Sequence, residues 1–332
     1  MQILVTGGAG YLGSVLVRRL LDGGHHVRVL DLLLYGRQSI QELETRAGFD
    51  LRVADIRDQA AVAEALEGID AVVHLAAIVG DPACARQPEA ARAINLDATL
   101  GLIRSARAAG VSRFVFASTC SNYGRMADTS MLAGEDHELR PVSLYASTKV
   151  EVERALLQQP ESPMTATVLR FATLYGPSPR MRFDLTVNEF VRSMLVEGRL
   201  LVYGEQFWRP YVHVADAARA IGQVLEAPPK AVAAKVFNVG NTQENYRKID
   251  LVNIIREQVP GAQVEFVART EDPRDYRVSF ERIRRELHFQ TAFTVPDGVR
   301  EIAGALEQGD WREPEAAHSN VAPQPRAAVM QS

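Results

Sequence analysis

A phenol and an ammonium lie close together in the stretch Tyr145-Ala-Ser-Thr-Lys149. A spacing of four residues places both side chains on one face of a predicted helix. A phenol has a pKa near ~10, too high for a base at neutral pH, but a neighbouring ammonium favours the phenolate and lowers that pKa. Tyr145 is therefore a candidate acid or base for an alcohol or sugar hydroxyl. The alternative is an exposed helix without chemistry, since this spacing is common by chance.

A second candidate stretch, Ser118-Thr-Cys-Ser-Asn-Tyr-Gly124, follows an apolar run at 113–117 that predicts a buried strand. Ligands of open α/β sheets bind at the carboxyl ends of the strands. The small polar residues are therefore either turn residues or the edge of an active site.

Lysine is rare in this chain. Four of its 37 basic residues are lysines, and Lys149 is the only one before Lys230. Where arginine supplies nearly all of the positive charge, an isolated lysine is a candidate for chemistry that a guanidinium cannot perform. Chance placement is the alternative.

The composition of the 332 residues, with 47% hydrophobic and 23% charged residues, is typical of a globular protein of one or two domains. A net charge of −4 gives no general attraction to nucleic acid or to an anionic membrane. Cys84 and Cys120 cannot build a disulfide framework and suit a reducing compartment. We find neither a basic leader nor an apolar run of membrane-spanning length. We therefore expect a cytoplasmic protein with no nucleic-acid, membrane or metal partner.

Apolar strands alternate with amphipathic helices from the first residue onward, which predicts a doubly wound parallel sheet of the Rossmann type. The predicted strands are Gln2–Thr6, His26–Asp31, 71–76, 113–117 and 165–170, and the predicted helices are Tyr11–Asp22, 58–66, 90–109 and 143–158.

After residue 176 the alternation loosens, which predicts a smaller C-terminal domain interleaved with the first. We assign 1–176 to the dinucleotide-binding domain, with returning segments near 211–240 and a strand at 236–239. Residues 177–307 form the substrate domain, and 308–332 are expected to be a disordered tail, since prolines and small polar residues dominate there. Three arginine-rich stretches at 180–183, 204–211 and 270–277 are predicted loops.

The first strand runs into Gly8-x-Gly10-x-x-Gly13 directly before a helix. Glycines in this context permit a tight turn, and the helix N-terminus attracts a pyrophosphate. Asp31 ends the second strand, where a carboxylate binds the adenosine ribose and opposes a 2′-phosphate. NAD is therefore favoured over NADP, although Arg37 is near enough to fold back. A cationic nicotinamide would further lower the pKa of Tyr145.

These motifs together resemble the extended short-chain dehydrogenase/reductase family, in particular its nucleotide-sugar epimerase/dehydratase group. The resemblance covers about residues 1–300. It is carried, in order, by Thr6-Gly7-x-x-Gly10-x-x-Gly13, Asp55-Ile56, His74-Leu-Ala-Ala77, Asn95, Tyr145 with Lys149, Leu169-Arg170, Tyr175-Gly-Pro177 and Arg209-Pro-Tyr-Val-His-Val-Ala-Asp216.

The resemblance implies a role for each matching residue. It makes Thr119 the partner of the catalytic Tyr145, and Lys149 a ligand of the nicotinamide ribose. It implies the following cofactor-binding residues: Gly7, Gly10, Tyr11, Leu12, Gly13, Asp31, Asp55, Ile56, Leu75, Ala76, Ala77, Asn95, Tyr145 and Lys149.

Cys120 and Ser121 stand where sugar 4,6-dehydratases of this group carry Asp-Glu. Removal of water requires an acid and a base, and a thiol with a hydroxyl is a poor substitute, so dehydration is disfavoured. Some family members use a cysteine in this loop as an acid, but the sugar synthases among them have a histidine where this chain has Ser178. Cys120 and Ser121 are the candidate accessory residues, and for Cys120 the alternative, a small packing residue, is favoured.

At the substrate end, Arg180, Arg182, Arg209 and Arg274 lie in predicted loops, and a guanidinium suits phosphate oxygens. Arg209 matches the diphosphate-binding arginine of the family, but Pro210 replaces the usual acid after it. Thr173 stands where the family usually has an asparagine. The predicted substrate-binding residues are Cys84, Thr119, Thr173, Arg182, Asn188, Arg209 and Arg274, although solvated loop arginines and a buried Cys84 are alternatives.

The leading interpretation is an NAD-dependent nucleotide-sugar 4-epimerase with Tyr145 as acid and base. The alternative is an NAD(P)H-dependent 4-ketoreductase of nucleotide deoxysugars, and a catalytically silent dinucleotide sensor is less favoured because Thr119, Tyr145 and Lys149 are all present. The resemblance also implies a homodimer that pairs the helices at 90–109 and 143–158.

Overall fold

A seven-stranded parallel sheet, with strand order β10-β6-β5-β4-β1-β2-β3, forms the main layer of the protein. The computed structural model describes residues 1–158, 163–268, 274–311 and 318–320. The strands are β1 Gln2–Thr6, β2 His26–Asp31, β3 Phe49–Val53, β4 Ala71–His74, β5 Arg113–Thr119, β6 Thr165–Phe171, β7 Thr173–Tyr175, β8 Arg199–Tyr203, β9 Trp208–His213, β10 Lys235–Val239, β11 Asn245–Arg247 and β12 Gln263–Val267.

Helices cover both faces of this sheet. They are α1 Tyr11–Asp22, α2 Gln59–Leu66, α3 Asp81–Arg86, α4 Pro88–Arg92, α5 Thr99–Ala108, α6 Leu144–Leu157, α7 Thr186–Arg192, α8 Val214–Glu226, α9 Pro229–Val232, α10 Lys248–Gln258, α11 Glu281–Leu287 and α12 Val295–Gln308. The predicted Rossmann-type fold is thereby confirmed.

The alternation of side chains along β1 explains why both faces are buried. Ile3 and Val5 belong to the core cluster that contains Leu16 of α1, whereas Leu4 belongs to the cluster that contains Leu102 of α5. Consecutive residues of a strand point to opposite faces, so an uninterrupted apolar strand requires helices on both sides.

The order in which successive strands are added to the parallel sheet reverses at β1, because β2 lies on one side of it and β4 on the other. Such a switch point leaves a crevice beyond the carboxyl ends of the strands. Thr6 ends β1 and His74 ends β4, and the Thr6 hydroxyl lies 2.7 Å from Nδ1 of His74. The crevice above this pair is the site described below.

The predicted helix at 90–109 is not one regular helix. It consists of α4, a π-helical segment at Ala93–Ala98, and α5. The Thr99 hydroxyl donates to the Ile94 carbonyl, five residues earlier in the same segment. It also lies 2.8 Å from Nε2 of His74 in β4, and this long-range contact favours the wider π-helical turn.

Two small sheets, β11-β9-β7 and β12-β8, lie outside the main sheet. The prediction of a loop over 204–211 is wrong for its last residues, because β9 begins at Trp208 and pairs with β7 and β11. Conversely, the strand predicted at 236–239 forms as β10 and pairs with β6 in the main sheet. The domain boundaries themselves remain a prediction.

The C-terminal residues that the structure describes pack against the loop before α7. The Phe183 amide donates to the His318 carbonyl, and the Phe183 ring contacts Trp311 and His318 edge-on. Residues 318–320 are therefore ordered against the protein, within the predicted tail. Residues 308–311 of the predicted tail are also described, and Gln308 still belongs to α12. Residues 312–317 and 321–332 lie outside the described residues, as do 270–273 of the third predicted loop. Across the described chain, no helix is long and apolar enough to cross a membrane.

Candidate active site

The three predicted catalytic residues lie on the wall of one cleft of about 370 Å³ at the carboxyl ends of the strands. Thr119 is the last residue of β5, and Tyr145 and Lys149 lie one helical turn apart on α6. The Ser143 hydroxyl begins α6 by accepting from the Ala146 amide and donates in turn to Asp81. This cap fixes the first turn of the helix, which carries Tyr145.

Lys149 is oriented by the backbone of β5. Its ammonium donates to the Ala117 carbonyl at 2.8 Å and lies 5.8 Å from the centre of the Tyr145 ring. Burial lowers the pKa of Lys149 to about 8, so the charged form is costly at this position. An ammonium held in place in this way can bind ribose hydroxyls and stabilise a phenolate.

Burial raises the pKa of the Tyr145 phenol, while the charge of Arg182 acts to lower it. The phenol is therefore protonated at neutral pH in the protein alone. The expected stabilisation of the phenolate thus depends on the positive charge of a bound nicotinamide as well as on Lys149.

The residues after Thr119 separate into one that faces the cleft and one that does not. Ser121 lines the cleft, and its hydroxyl lies 3.3 Å from the hydroxyl of Tyr276. Cys120 is 1% exposed, and its thiol donates to the Arg170 carbonyl. Burial raises the pKa of that thiol. The contacts of Cys120 are those of a packing residue.

The glycine-rich turn between β1 and α1 is too tight for a side chain at Gly7 or Gly13. A Cβ on Gly13 would lie 2.1 Å from the Gly7 carbonyl oxygen, and one on Gly7 would lie 2.7 Å from the Ala76 nitrogen. Gly7 also has a φ of +74°. Helix α1 follows with no side-chain cap among the described residues, which leaves its N-terminal amides available to an anion. The turn therefore fits a dinucleotide diphosphate.

Asp31 lies on the same cleft, at the end of β2. Its carboxylate accepts the amides of Ala9 and Leu33, while burial raises its pKa. Arg37 does not fold back towards it, because its guanidinium pairs with Glu44 at 2.7 Å. Among the described residues, no arginine pairs with the Asp31 carboxylate in this predicted ribose pocket. A carboxylate without an arginine favours a ribose with a free 2′-hydroxyl over one with a 2′-phosphate.

All but one of the predicted cofactor-binding residues line the cleft. Asn95 instead supports the cleft from behind, since its amide exchanges two hydrogen bonds with the backbone of Ile78. Those that line it are Gly7, Gly10, Tyr11, Leu12, Gly13, Asp31, Asp55, Ile56, Leu75, Ala76, Ala77, Tyr145 and Lys149.

The predicted substrate-binding residues divide in the same way. Thr173, Arg182 and Arg274 line the cleft beside Thr119, and Arg182 and Arg274 form ion pairs with Asp184 and Asp81 respectively. The other three predicted residues, Cys84, Asn188 and Arg209, are not among the described residues that line the cleft.

Each of these three is held by the protein itself. The Cys84 thiol donates to the Ile78 carbonyl. The Asn188 amide accepts from the Gly176 amide and donates to Tyr11 and to the Arg182 carbonyl. Arg209 donates to its neighbour's carbonyl and stacks on Tyr276. Their role in substrate binding remains a prediction.

The sequence prediction of the site leaves out several cleft residues, among them Tyr35, Arg180, Tyr276 and Asn320. Tyr35 and Tyr276 lie in irregular segments without a recognisable motif, and Asn320 belongs to the predicted tail. Arg180 stands out in the sequence only as one of several loop arginines. No short-range pattern indicates that these residues meet.

Residues 3–240 match the model of the NAD dependent epimerase/dehydratase family. The chain belongs to this family. The predicted resemblance and the predicted cofactor, NAD, are thereby confirmed, and the protein is an NAD-dependent enzyme of the epimerase/dehydratase type.

Similar proteins carry more than one activity. The chain is 30% identical to the uncharacterized UDP-glucose epimerase YtcB of Bacillus subtilis, over 93% of this chain and 100% of that protein. It is 31% identical to a dTDP-glucose 4,6-dehydratase of an Actinoplanes species, over 91% of this chain and 96% of that protein. Among solved structures, the chain superimposes on DesIV, a dTDP-glucose 4,6-dehydratase from Streptomyces venezuelae with NAD and TYD bound, with a TM-score of 0.83. The two proteins are 28% identical, and the superposition covers 94% of this chain and 98% of DesIV. Similarity alone therefore leaves the reaction open.

Proposed function

We propose that this protein is an NAD-dependent nucleotide-sugar 4-epimerase. The observation that carries the proposal is the composition of the cleft wall near Tyr145. Among the described residues that line the cleft, the two carboxylates are Asp31 and Asp55, and both lie at the adenosine end of the site. A 4,6-dehydratase needs an acid and a base beside the sugar, and the residues next to Thr119 supply a thiol turned away and a hydroxyl.

Asp81 does not replace the missing carboxylate. It accepts from the Ser143 hydroxyl and pairs with Arg274 at 3.0 Å, so both of its oxygens are engaged by the protein. Asp81 is not among the described residues that line the cleft, and its charge contributes to the raised pKa of Tyr145. Among the described residues, the groups near the predicted sugar position that could take part in proton transfer are therefore Thr119, Ser121, Tyr145, Lys149 and Tyr276.

These residues are sufficient for epimerisation. Bound NAD supplies a reversible hydride acceptor. Tyr145 takes the proton of the O4 hydroxyl and later returns it, while the Thr119 hydroxyl holds the reacting oxygen against Tyr145. Lys149 holds the ribose and favours the phenolate. The walls keep the 4-keto sugar in place while it turns over and exposes its other face.

A nucleotide diphosphate sugar is the substrate class that this proposal requires. Arg182 and Arg274 lie on the wall beside the reacting end, where their guanidinium groups suit phosphate oxygens. The predicted homodimer and a cytoplasmic location accompany the proposal, and sedimentation of the purified protein tests the first.

The experiment begins with the purified protein and no added cofactor. The protein is denatured, and any released nucleotide is identified by chromatography and mass. We expect near-stoichiometric NAD, because an epimerase regenerates its cofactor in each cycle. UDP-, dTDP-, GDP- and CDP-sugars are then screened without cofactor for conversion to the 4-epimer.

Other outcomes would replace the proposal. An empty protein that reduces 4-keto sugars at the expense of NAD(P)H would be the 4-ketoreductase. A product lighter than its substrate by one water would identify a dehydratase in spite of Cys120 and Ser121.

A further inference from the structure

Arg180 is a buried cation whose partner is missing from the described chain. Its side chain is 5% exposed, and Nε and Nη2 have no hydrogen-bond partner among the described residues. The residue lines the cleft, and its guanidinium carbon lies 3.9 Å from the centre of the Tyr35 ring. An unpaired charge buried in this way costs stability, so the arrangement indicates that an anion completes it.

The backbone beside Arg180 is tied to the first turn of α1. The Tyr11 hydroxyl donates to the Gly176 carbonyl at 2.6 Å, and the Ser178 hydroxyl donates to the Tyr11 carbonyl at 2.7 Å. The Arg180 amide then donates to the Ser178 hydroxyl. Arg180 is thus held close to the uncapped N-terminus of a twelve-residue helix, which itself favours negative charge.

The carboxylate whose charge acts on Arg180 is already paired with another residue. That carboxylate, Asp184, forms its ion pair with Arg182 at 2.6 Å. Burial and the neighbouring Arg182 lower the pKa of Arg180 to about 10. The carboxylate of Asp31 accepts the amides of Ala9 and Leu33 and does not contact Arg180.

The contact of Arg180 with Tyr35 places its guanidinium at the cofactor end of the cleft. Tyr35 follows Asp31 in the loop after β2, and both residues line the cleft with the glycine-rich turn. The charges of Arg180 and Arg182 both lower the pKa of Tyr35, and the charge of Arg182 also lowers that of Tyr145. Arg180 is thus held beside the predicted dinucleotide site by a ring contact that Arg182 does not share among the described residues.

We propose that Arg180 binds the diphosphate of the NAD cofactor, with the Tyr35 ring holding its guanidinium in position. The helix N-terminus and the guanidinium would approach the same phosphates from two directions. The sequence groups this residue with the arginines of the sugar nucleotide, and its contacts place it with the cofactor instead. The inference is independent of the sugar reaction, since an epimerase and a reductase would use it alike.

The test compares the binding of ligand fragments to the full chain freed of nucleotide by charcoal. Arg180→Met should weaken NAD and ADP-ribose equally, by about 10- to 100-fold, because both contain the diphosphate and lose charge-assisted hydrogen bonds. Adenosine and UDP should bind as they do to the wild type. Arg300→Met removes an exposed arginine of α12 and is the matched control, with no expected change. Weaker binding of UDP with unchanged binding of ADP-ribose would overturn the proposal.

Two further measurements separate binding from a structural role. Arg180→Lys keeps the charge but loses the planar fork, and should bind NAD with an affinity between those of Arg180→Met and the wild type. Without nucleotide, Arg180→Met should melt no lower than the wild type, because it removes an unpaired buried cation, whereas the rise in melting temperature on addition of NAD should shrink. A lower melting temperature with an undiminished NAD-induced rise would show that Arg180 is structural.

Discussion

Glu153 and Arg170 form a buried ion pair directly beneath the candidate catalytic residues. The guanidinium of Arg170 in β6 donates to both oxygens of Glu153 in α6, with a shortest distance of 2.7 Å. Ser118 and Asn122 also donate to this carboxylate. The ion pair therefore joins the helix that carries Tyr145 to β6, and the hydrogen bond from Ser118 ties the same carboxylate to β5, the strand that ends at Thr119.

Glu153→Gln should lower the free energy of unfolding by about 3–5 kcal/mol, because it leaves the Arg170 cation buried and unpaired. Glu138→Gln is the matched control, since Glu138 pairs with Arg140 on the exposed surface and its loss should leave the free energy of unfolding almost unchanged. Urea unfolding of the two variants measures both free energies. Equal losses would show that the buried pair does not hold the site together.

Tyr145→Phe should lower turnover by about 10²- to 10⁴-fold, since it removes the group that transfers the O4 proton. NAD binding should remain nearly intact, because the aromatic ring stays on the cleft wall. Tyr203→Phe makes the same change on a half-exposed strand away from the cleft and should leave turnover unaltered. Full activity of Tyr145→Phe on a verified substrate would refute the mechanism.

Lys149 should give the nucleotide-free protein a distinct pH dependence. Its pKa is about 8 in the folded protein, against an ordinary value of 10.5, because burial disfavours the ammonium. Between these values the unfolded chain binds more protons at this position than the folded one, so stability rises with pH. Below about pH 8 the lysine is charged in both states, and the full cost of burying the ammonium is present.

The measurement compares wild type with Lys149→Met. From about pH 7 to about pH 9.5, the free energy of unfolding of the wild type should increase by about 2 kcal/mol relative to that of Lys149→Met. Other titrating groups are common to both proteins and cancel in the difference. Parallel pH curves would mean that Lys149 titrates normally in the folded state.

Cys120→Ala should keep a turnover within about 3-fold of the wild-type value. If Cys120 is only a packing residue, the substitution removes little more than the packing contacts of its thiol. The thiol donates to the Arg170 carbonyl, is buried and has a raised pKa, so it is also expected to resist thiol reagents in the native protein. A loss of turnover comparable to that of Tyr145→Phe would identify Cys120 as the accessory acid.

Local sequence patterns determined the parts of this protein that depend on neighbouring residues. The glycines before α1, Asp31 at the end of β2 and the spacing from Tyr145 to Lys149 each act within one turn or one element. Their positions on a parallel sheet follow from the alternation of strands and helices, because carboxyl ends of such strands meet at one edge. Gly7, Gly10, Gly13, Asp31, Tyr145 and Lys149 all lie on the cleft.

Only the tertiary structure decided which of the remaining candidates face that cleft. Asn95 and Asn188 have the polar side chains of ligand-binding residues, yet their amides satisfy backbone groups of distant loops. Arg180 differs from the other loop arginines only because Tyr11, Tyr35 and Ser178 meet around it. A buried polar group must find a partner, and the partner that is nearest in space is set by packing across the whole chain rather than by local sequence.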